Sequence, residues 1–264
     1  KNNITMCGIV GYTGFQDAYD IVINGLRRLE YRGYDSAGIV LEDKNNNFEV
    51  KKTKGKVSDL VDISENLKGT SHIGMGHTRW ATHGVPSDRN SHPHVSNDGK
   101  IALVHNGIIE NYDTIKTMLI GKGFTFLSET DTEVLVNLIQ YILDTQNVDF
   151  PQAVRYALNE VYGAYAITVM HKDYPGVLVV GRLGSPLAIG LGDKEYFIAS
   201  DASPFVEFTK EAVYLEDGHM ATISLEKGVE IRSIKENEII EPAIQELKLS
   251  LEQIEKGGYE HFML

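Results

Sequence analysis

The one cysteine in this 264-residue chain, Cys7, lies between Met6 and the run Gly8-Ile9-Val10-Gly11. A lone thiol forms no internal disulfide, and a Cys behind an initiator-like Met can become the first residue of a processed chain. It then carries a thiol, with a pKa of about 8.5, and an α-amine, at about 7.7–8.0, on one residue. That is a nucleophile with a proton acceptor attached. The plain alternative is a small apolar residue buried on a first strand, as most free cysteines are. A second dense run is His77-Thr78-Arg79-Trp80-Ala81-Thr82-His83-Gly84, where a strand end meets a loop. A guanidinium there can clamp a carboxylate with two parallel hydrogen bonds. Thr82 and His83 add short-range donors and acceptors. Otherwise these are solvated strand residues.

His105-Asn106-Gly107 sets an Asn carboxamide beside a Gly N–H, two donors suited to an oxyanion. Read plainly, it is an Asn-Gly turn closing a strand. Ser128-Glu129-Thr130-Asp131-Thr132-Glu133 carries Thr130 and Glu133 at capping-box spacing. The same segment offers Asp131 as an acceptor for a ligand ammonium group, and both roles are compatible. A zinc site is the competing chemistry, because His72, His77, His83, His92, His94 and His105 crowd one region. None of them forms a His-x3-His pair, and Cys7 is remote, so no metal is expected.

Around these residues the pattern predicts strands at Gly8–Thr13, Ala37–Leu41, Phe48–Lys54, His72–Arg79 and Ile101–His105, with helices at Asp17–Glu30 and Val57–Leu67. Ile21, Val22, Leu26 and Leu29 share one face of the first helix. The polar stretch Trp80–Lys100 is too long and too rich in His for a simple connection. Helices follow at Tyr112–Lys122, Thr130–Leu143 and Phe150–Glu160. Short apolar runs then succeed one another from Tyr165 to Ser224 and read as an antiparallel meander. Gly181–Gly192 is glycine-rich but falls among strands, so it is no phosphate loop. Strands, then helices, then strands indicate an α+β fold of two facing sheets with helices outside.

Hydrophobic residues make up 42% and charged residues 23% of the chain, as in globular proteins. The net charge of −12 argues against nucleic acid or an acidic membrane surface as partner. No apolar run reaches the roughly 20 residues of a membrane span, and Lys1–Met6 has no apolar stretch of a signal peptide. With a single cysteine, this predicts the reducing cytoplasm.

Taken together, Met6–Gly11, Leu29-Glu30-Tyr31-Arg32-Gly33-Tyr34-Asp35-Ser36-Ala37-Gly38, His77–Gly84, Asn90-Ser91-His92-Pro93-His94, His105–Asn111 and Ser128–Glu133 resemble the glutaminase domains of glutamine–fructose-6-phosphate aminotransferases. These are class II glutamine amidotransferases within the N-terminal nucleophile hydrolases. The Tyr31–Asp35 and Arg79–His83 wording separates them from the purine-pathway amidotransferase and asparagine synthetase. The resemblance implies a four-layer αββα sandwich and hydrolysis of L-glutamine to glutamate and ammonia through a Cys7 thioester. It gives the oxyanion to Asn106 and Gly107, and the glutamine α-carboxylate to Arg79, Thr82 and His83. Asp131 takes the α-ammonium, Trp80 gates ammonia, and Arg32 orders the Cys7 terminus. No cofactor is implied.

The expected layout is an extension or added scar at 1–6, a glutaminase domain at 7–240, and a segment at 241–264 leading toward a sugar-phosphate isomerase half that this chain lacks. The chain is then a truncated piece or a free-standing glutaminase, the full-length enzyme a homo-oligomer. Two other readings stay open: a glutamine-binding module with Cys7 blocked, and a different N-terminal nucleophile amidase. The Arg79 and Asp131 pair, suited to a free amino acid, speaks against the latter.

Overall fold

Apolar residues recur at helical spacing in Ala18–Leu29 (α1), and Asp17 starts this helix by accepting from the Tyr19 N–H at 3.2 Å. Its buried side, including Val22, Leu26 and Leu29, packs on a sheet. The computed structural model in which this is seen describes residues 7–32, 34–80 and 85–247.

The first sheet holds β1 (Gly8–Thr13), β2 (Ser36–Glu42), β3 (Phe48–Lys54), β4 (Ile73–Arg79), β9 (Ala188–Gly192), β10 (Glu195–Ala199), β11 (Glu211–Tyr214) and β15 (Ile244–Glu246). Their order is β15-β11-β9-β10-β1-β4-β2-β3. The second holds β5 (His94–Val95), β6 (Ile101–Ile109), β7 (Gly163–His171), β8 (Leu178–Leu183), β12 (His219–Ser224), β13 (Gly228–Ser233) and β14 (Ile239–Ile240). It runs β14-β13-β12-β8-β7-β6-β5. With α1, α2 (Val57–Ser64) covers the first sheet, while α3 (Tyr112–Gly121), α4 (Asp131–Thr145) and α5 (Phe150–Glu160) cover the second. The layers are therefore helix, sheet, sheet, helix, as expected.

Alternation assigns each strand's two faces. On β4, Ile73 and Met75 enter the core between the sheets, whereas Gly76 faces α1 and leaves room for Val22 and Leu26. On β6, Ala102 and Val104 enter the inter-sheet core, and Leu103 and Ile109 face the helices. Each large apolar side chain so buried contributes about 1.5–3 kcal/mol.

Two expectations change. The succession from Tyr165 to Ser224 is not one meander: β7, β8 and β12 lie in one sheet, and β9, β10 and β11 in the other. Both faces of these strands are covered, so their apolar runs carry no sign of which sheet they join. His105-Asn106-Gly107 is not a strand end either. β6 continues to Ile109, with Gly107 opposite Tyr165 on β7. Pairing across nine residues overrides a local turn preference. The segment from 241 begins with β15, paired to β11.

Candidate active site

The inter-sheet alternation carries polar groups where the apolar core ends. On β4 the row Ile73, Met75 continues into His77 and Arg79; on β6 the row Ala102, Val104 continues into Asn106; Cys7 precedes β1 on the alternation of Ile9. All four polar positions meet at one end of the sandwich.

A small cleft opens there, lined by Cys7, Arg79, Trp80, Gly107 and Asp131, with His92, His105, Thr130 and Thr132. Five expected residues, from four separate stretches of chain, thus share one concave site. Thr82 and His83 lie outside the described residues, as do residues 1–6 and 248–264.

The Cys7 Sγ accepts from the Trp80 N–H at 3.1 Å and lies 3.5 Å from the Trp80 carbonyl. A thiol can donate to the carbonyl, and a thiolate can be held by the N–H. Burial pushes the Cys7 thiol up from its ordinary pKa; the Trp80 backbone and the Arg79 charge act against the rise. Trp80 is half exposed at the rim. Arg79 is buried on the last position of β4, which is uncommon for a guanidinium and suits a charged ligand.

Asn106 is buried, and its carboxamide is held on every side. Oδ1 lies 2.8 Å from His77 Nε2, and Nδ2 donates to the Cys7 carbonyl at 3.0 Å and to Ser200 Oγ at 2.9 Å. Gly107 has φ +128°, and a Cβ there would stand 2.0 Å from the Ala164 carbonyl oxygen. Only glycine fits, and its backbone comes to the cleft wall.

Asp131 is the first residue of α4, buried, and its Oδ2 accepts from the Ile109 N–H at 2.7 Å. Thr130 caps the helix by accepting from the Glu133 N–H. The Glu133 carboxylate reaches past the cap to the Leu127 and Ser128 N–H groups, so the expected box closes two to three residues upstream. Arg32 pairs with Asp201 at 2.9 Å. Asp201 follows Ser200, whose hydroxyl accepts from the Ile9 N–H at 2.8 Å, and this is a route from Arg32 to the Cys7 strand.

Three of the described histidines pack on one another. His77 and His92 stack with centroids 4.2 Å apart, and His94 meets the edge of His92 at 5.0 Å. Burial drives His77 down to about 3, and His92 and His94 well below their ordinary values, so all three rings are neutral. Gly38 makes room for them: a Cβ there would stand 2.0 Å from the His92 carbonyl oxygen. His72 sits elsewhere, bonded to the Gln16 carbonyl. Among the described residues no three His, Cys, Asp or Glu side chains are disposed to hold a metal ion.

Ser200 was not singled out by sequence. Register is the signal that finds it: Ala199 pairs with Val10, which brings the next residue beside Ile9 and the Cys7 end of β1.

Fold and cleft together define an antiparallel αββα sandwich with a thiol at the mouth of its inter-sheet core. The glutamine amidotransferase domain family matches residues 61–248, and the chain belongs to that family. Its sequence is 52% identical over 261 residues to a glutamine–fructose-6-phosphate aminotransferase (isomerizing) of Bacteroides thetaiotaomicron, covering 98% of this chain and 42% of that one. The Chlorobaculum tepidum protein of the same name is also 52% identical, over 264 residues, with the same coverage. Among solved structures, the glutamine phosphoribosylpyrophosphate amidotransferase of B. subtilis, complexed with ADP and GMP, superposes with a TM-score of 0.73 at 29% identity, covering 88% of this chain and 50% of that one. The chain thus spans 42% of the length of these curated relatives. No helix among the described residues is long and apolar enough to cross a membrane.

Proposed function

We propose that this domain hydrolyses L-glutamine and supplies the ammonia to a sugar-phosphate isomerase half of a longer enzyme making an amino sugar from fructose 6-phosphate. The observation that carries the reading is the shared cleft, with a thiol, a buried guanidinium, a glycine backbone and a buried carboxylate around one small volume. Arg79 and Asp131 are the charges that a free α-amino acid needs at its two ends. Thr82 and His83 are proposed as further partners of the α-carboxylate.

Cys7 attacks the glutamine amide carbon, with the α-amine of a chain begun at Cys7 taking the thiol proton. The oxyanion is held by the Asn106 Nδ2 and the Gly107 N–H. Both Nδ2 hydrogens are engaged within the protein, so the oxyanion takes over the one given to the Cys7 carbonyl. The C–N bond breaks, and the same amine returns its proton to the departing ammonia. Water then hydrolyses the thioester to glutamate. Trp80, at the rim, gates the ammonia, and Arg32 steadies the β1 end through Asp201 and Ser200. A thiol nucleophile works only when reduced, which supports a cytoplasmic setting. The longer enzyme is a homo-oligomer, with residues 241–264 leading toward its isomerase half.

Two measurements test this. Cys7→Ala should abolish glutamate release, and a diazo-oxo-norleucine should add once, at Cys7. Turnover in Cys7→Ala, or labelling elsewhere, overturns the mechanism.

A further inference from the structure

We propose that His77 and Ser200 are positioning residues that clamp the Asn106 carboxamide with its NH2 group turned toward Cys7. The proposal rests on the oxyanion reading of Asn106 given above. It names what makes that reading geometrically possible.

The argument starts from a group whose polarity is fixed. The Cys7 carbonyl can only accept, so the Asn106 atom 3.0 Å from it must be the NH2. Ser200 Oγ already accepts from the Ile9 N–H at 2.8 Å and takes the second Nδ2 hydrogen at 2.9 Å. Oδ1 then necessarily faces His77 Nε2, at 2.8 Å. For that contact to be a hydrogen bond, Nε2 must carry the proton. His77 is therefore a neutral ring in the Nε2–H tautomer. Burial, which holds it uncharged, is consistent with this. Rotating the amide by half a turn would set Oδ1 against the Cys7 carbonyl and NH2 against the His77 N–H, two repulsions replacing two bonds.

His77 cannot swing away to permit the rotation. Its ring lies on His92 at an interplanar angle of 14°. His92 Nδ1 in turn accepts from the His105 N–H on β6 at 3.2 Å, so the stack is bolted to the strand that carries Asn106. Ser200 is fixed likewise, its N–H donating to the Ile9 carbonyl at 3.1 Å. The clamp is thus built from β4, β6, β1 and the segment after β10, on the inter-sheet face where the strands converge.

The test is glutaminase kinetics on the chain begun at Cys7. Asn106→Ala should lower kcat by about 10²–10³-fold, as expected for one lost oxyanion donor. His77→Phe keeps the stack and loses the N–H; it should lower kcat by about 10-fold or more with KM for glutamine unchanged. His77→Gln, which restores a donor, should recover most of that loss, and Ser200→Ala should repeat it. The decisive variant is His77→Phe combined with Asn106→Ala, which should be no slower than Asn106→Ala alone, because His77 acts only through Asn106.

Losses that multiply in the double variant overturn the clamp, as does normal kcat in His77→Phe beside an impaired Asn106→Ala. Normal kcat in Asn106→Ala overturns the oxyanion reading, and the clamp with it. Should the His77 variants fail to fold, ¹⁵N NMR of the unsubstituted protein reads the tautomer directly. An Nε2–H ring is expected, and an Nδ1–H ring or an imidazolium overturns the proposal.

Discussion

Residues 1–6 provide the sharpest perturbation of the proposed chemistry, because Met6 turns the Cys7 nitrogen into an amide. An amide is no base, so the thiol must ionise unaided. Burial raises its pKa above the ordinary value, so the thiolate is a minor form near neutral pH. A chain begun at Cys7 has an α-amine at about 7.7–8.0, with a quarter or more in the neutral, proton-accepting form at pH 7.5. Loss of a general base typically costs about 10²–10⁴-fold. The 264-residue chain should therefore release glutamate at least about 100-fold more slowly than its Cys7-initiated form. Coupled dehydrogenase assays of the two, with Cys7→Ala as the blank, measure the ratio. The pH profiles add a second reading. The longer chain should keep gaining rate beyond the α-amine pKa, because burial raises the thiol. The shorter chain should level off near the α-amine pKa. Equal rates, or a common midpoint, would refute the α-amine as base.

Arg79→Lys and Asp131→Asn should each raise KM for glutamine by about 10–150-fold, the equivalent of one charge-assisted bond of roughly 1.5–3 kcal/mol; unchanged KM in both sinks the amino-acid pocket. Gly107→Ala should lower thermal stability by about 1–3 kcal/mol and kcat more than KM, since its Cβ would drive β6 from Ala164 beside Asn106; a normal Tm and kcat together contradict this. Glu42 is buried, and desolvation, aided by Asp43, pushes it up to about 7. A raised carboxyl pKa means that the folded state holds the proton more tightly, so its favourable contribution is present below about 4.5 and lost as pH rises through 7. Glu42→Gln should thus stabilise clearly more at pH 8 than at pH 5; urea unfolding showing equal gains at both pH values would discount the shift.

Helices α1 and α4 were readable because their apolar spacing and their caps, Asp17 and Thr130, agree. The residues that meet at the candidate site are legible by type and clustering: Cys7, Arg79, Gly107 and Asp131 line the cleft, and Asn106 bonds the Cys7 carbonyl. What could not be read was what faces them. Ser200 is one serine at a strand end, and only register places it beside Ile9 and Asn106. The crowding of the histidines is visible in the sequence, but their desolvation is not. In the fold, His77 and His92 are stacked rings shut away from water. The sheet assignment of β7 to β12 was hidden for the same reason that these strands are stable, namely cover on both faces.

The central position of β1 has a consequence for when the thiol becomes active. Its neighbours are β4 on one side and β10 on the other, so Gly8–Thr13 pairs with Ile73–Thr78 and with Tyr196–Ala199. Cys7 precedes β1 in the chain, but that strand is flanked on both sides only once Glu195–Ala199 has been made. Such distant closure is slow and late. The proposed nucleophile is thus made well before its strand is installed, and on this reading a partly synthesised chain carries an ordinary cysteine rather than an active one. Ribosome-stalled chains ended before Glu195 should alkylate at the rate of an unstructured thiol and resist the glutamine-like electrophile; selective labelling of such chains would show that the site assembles earlier.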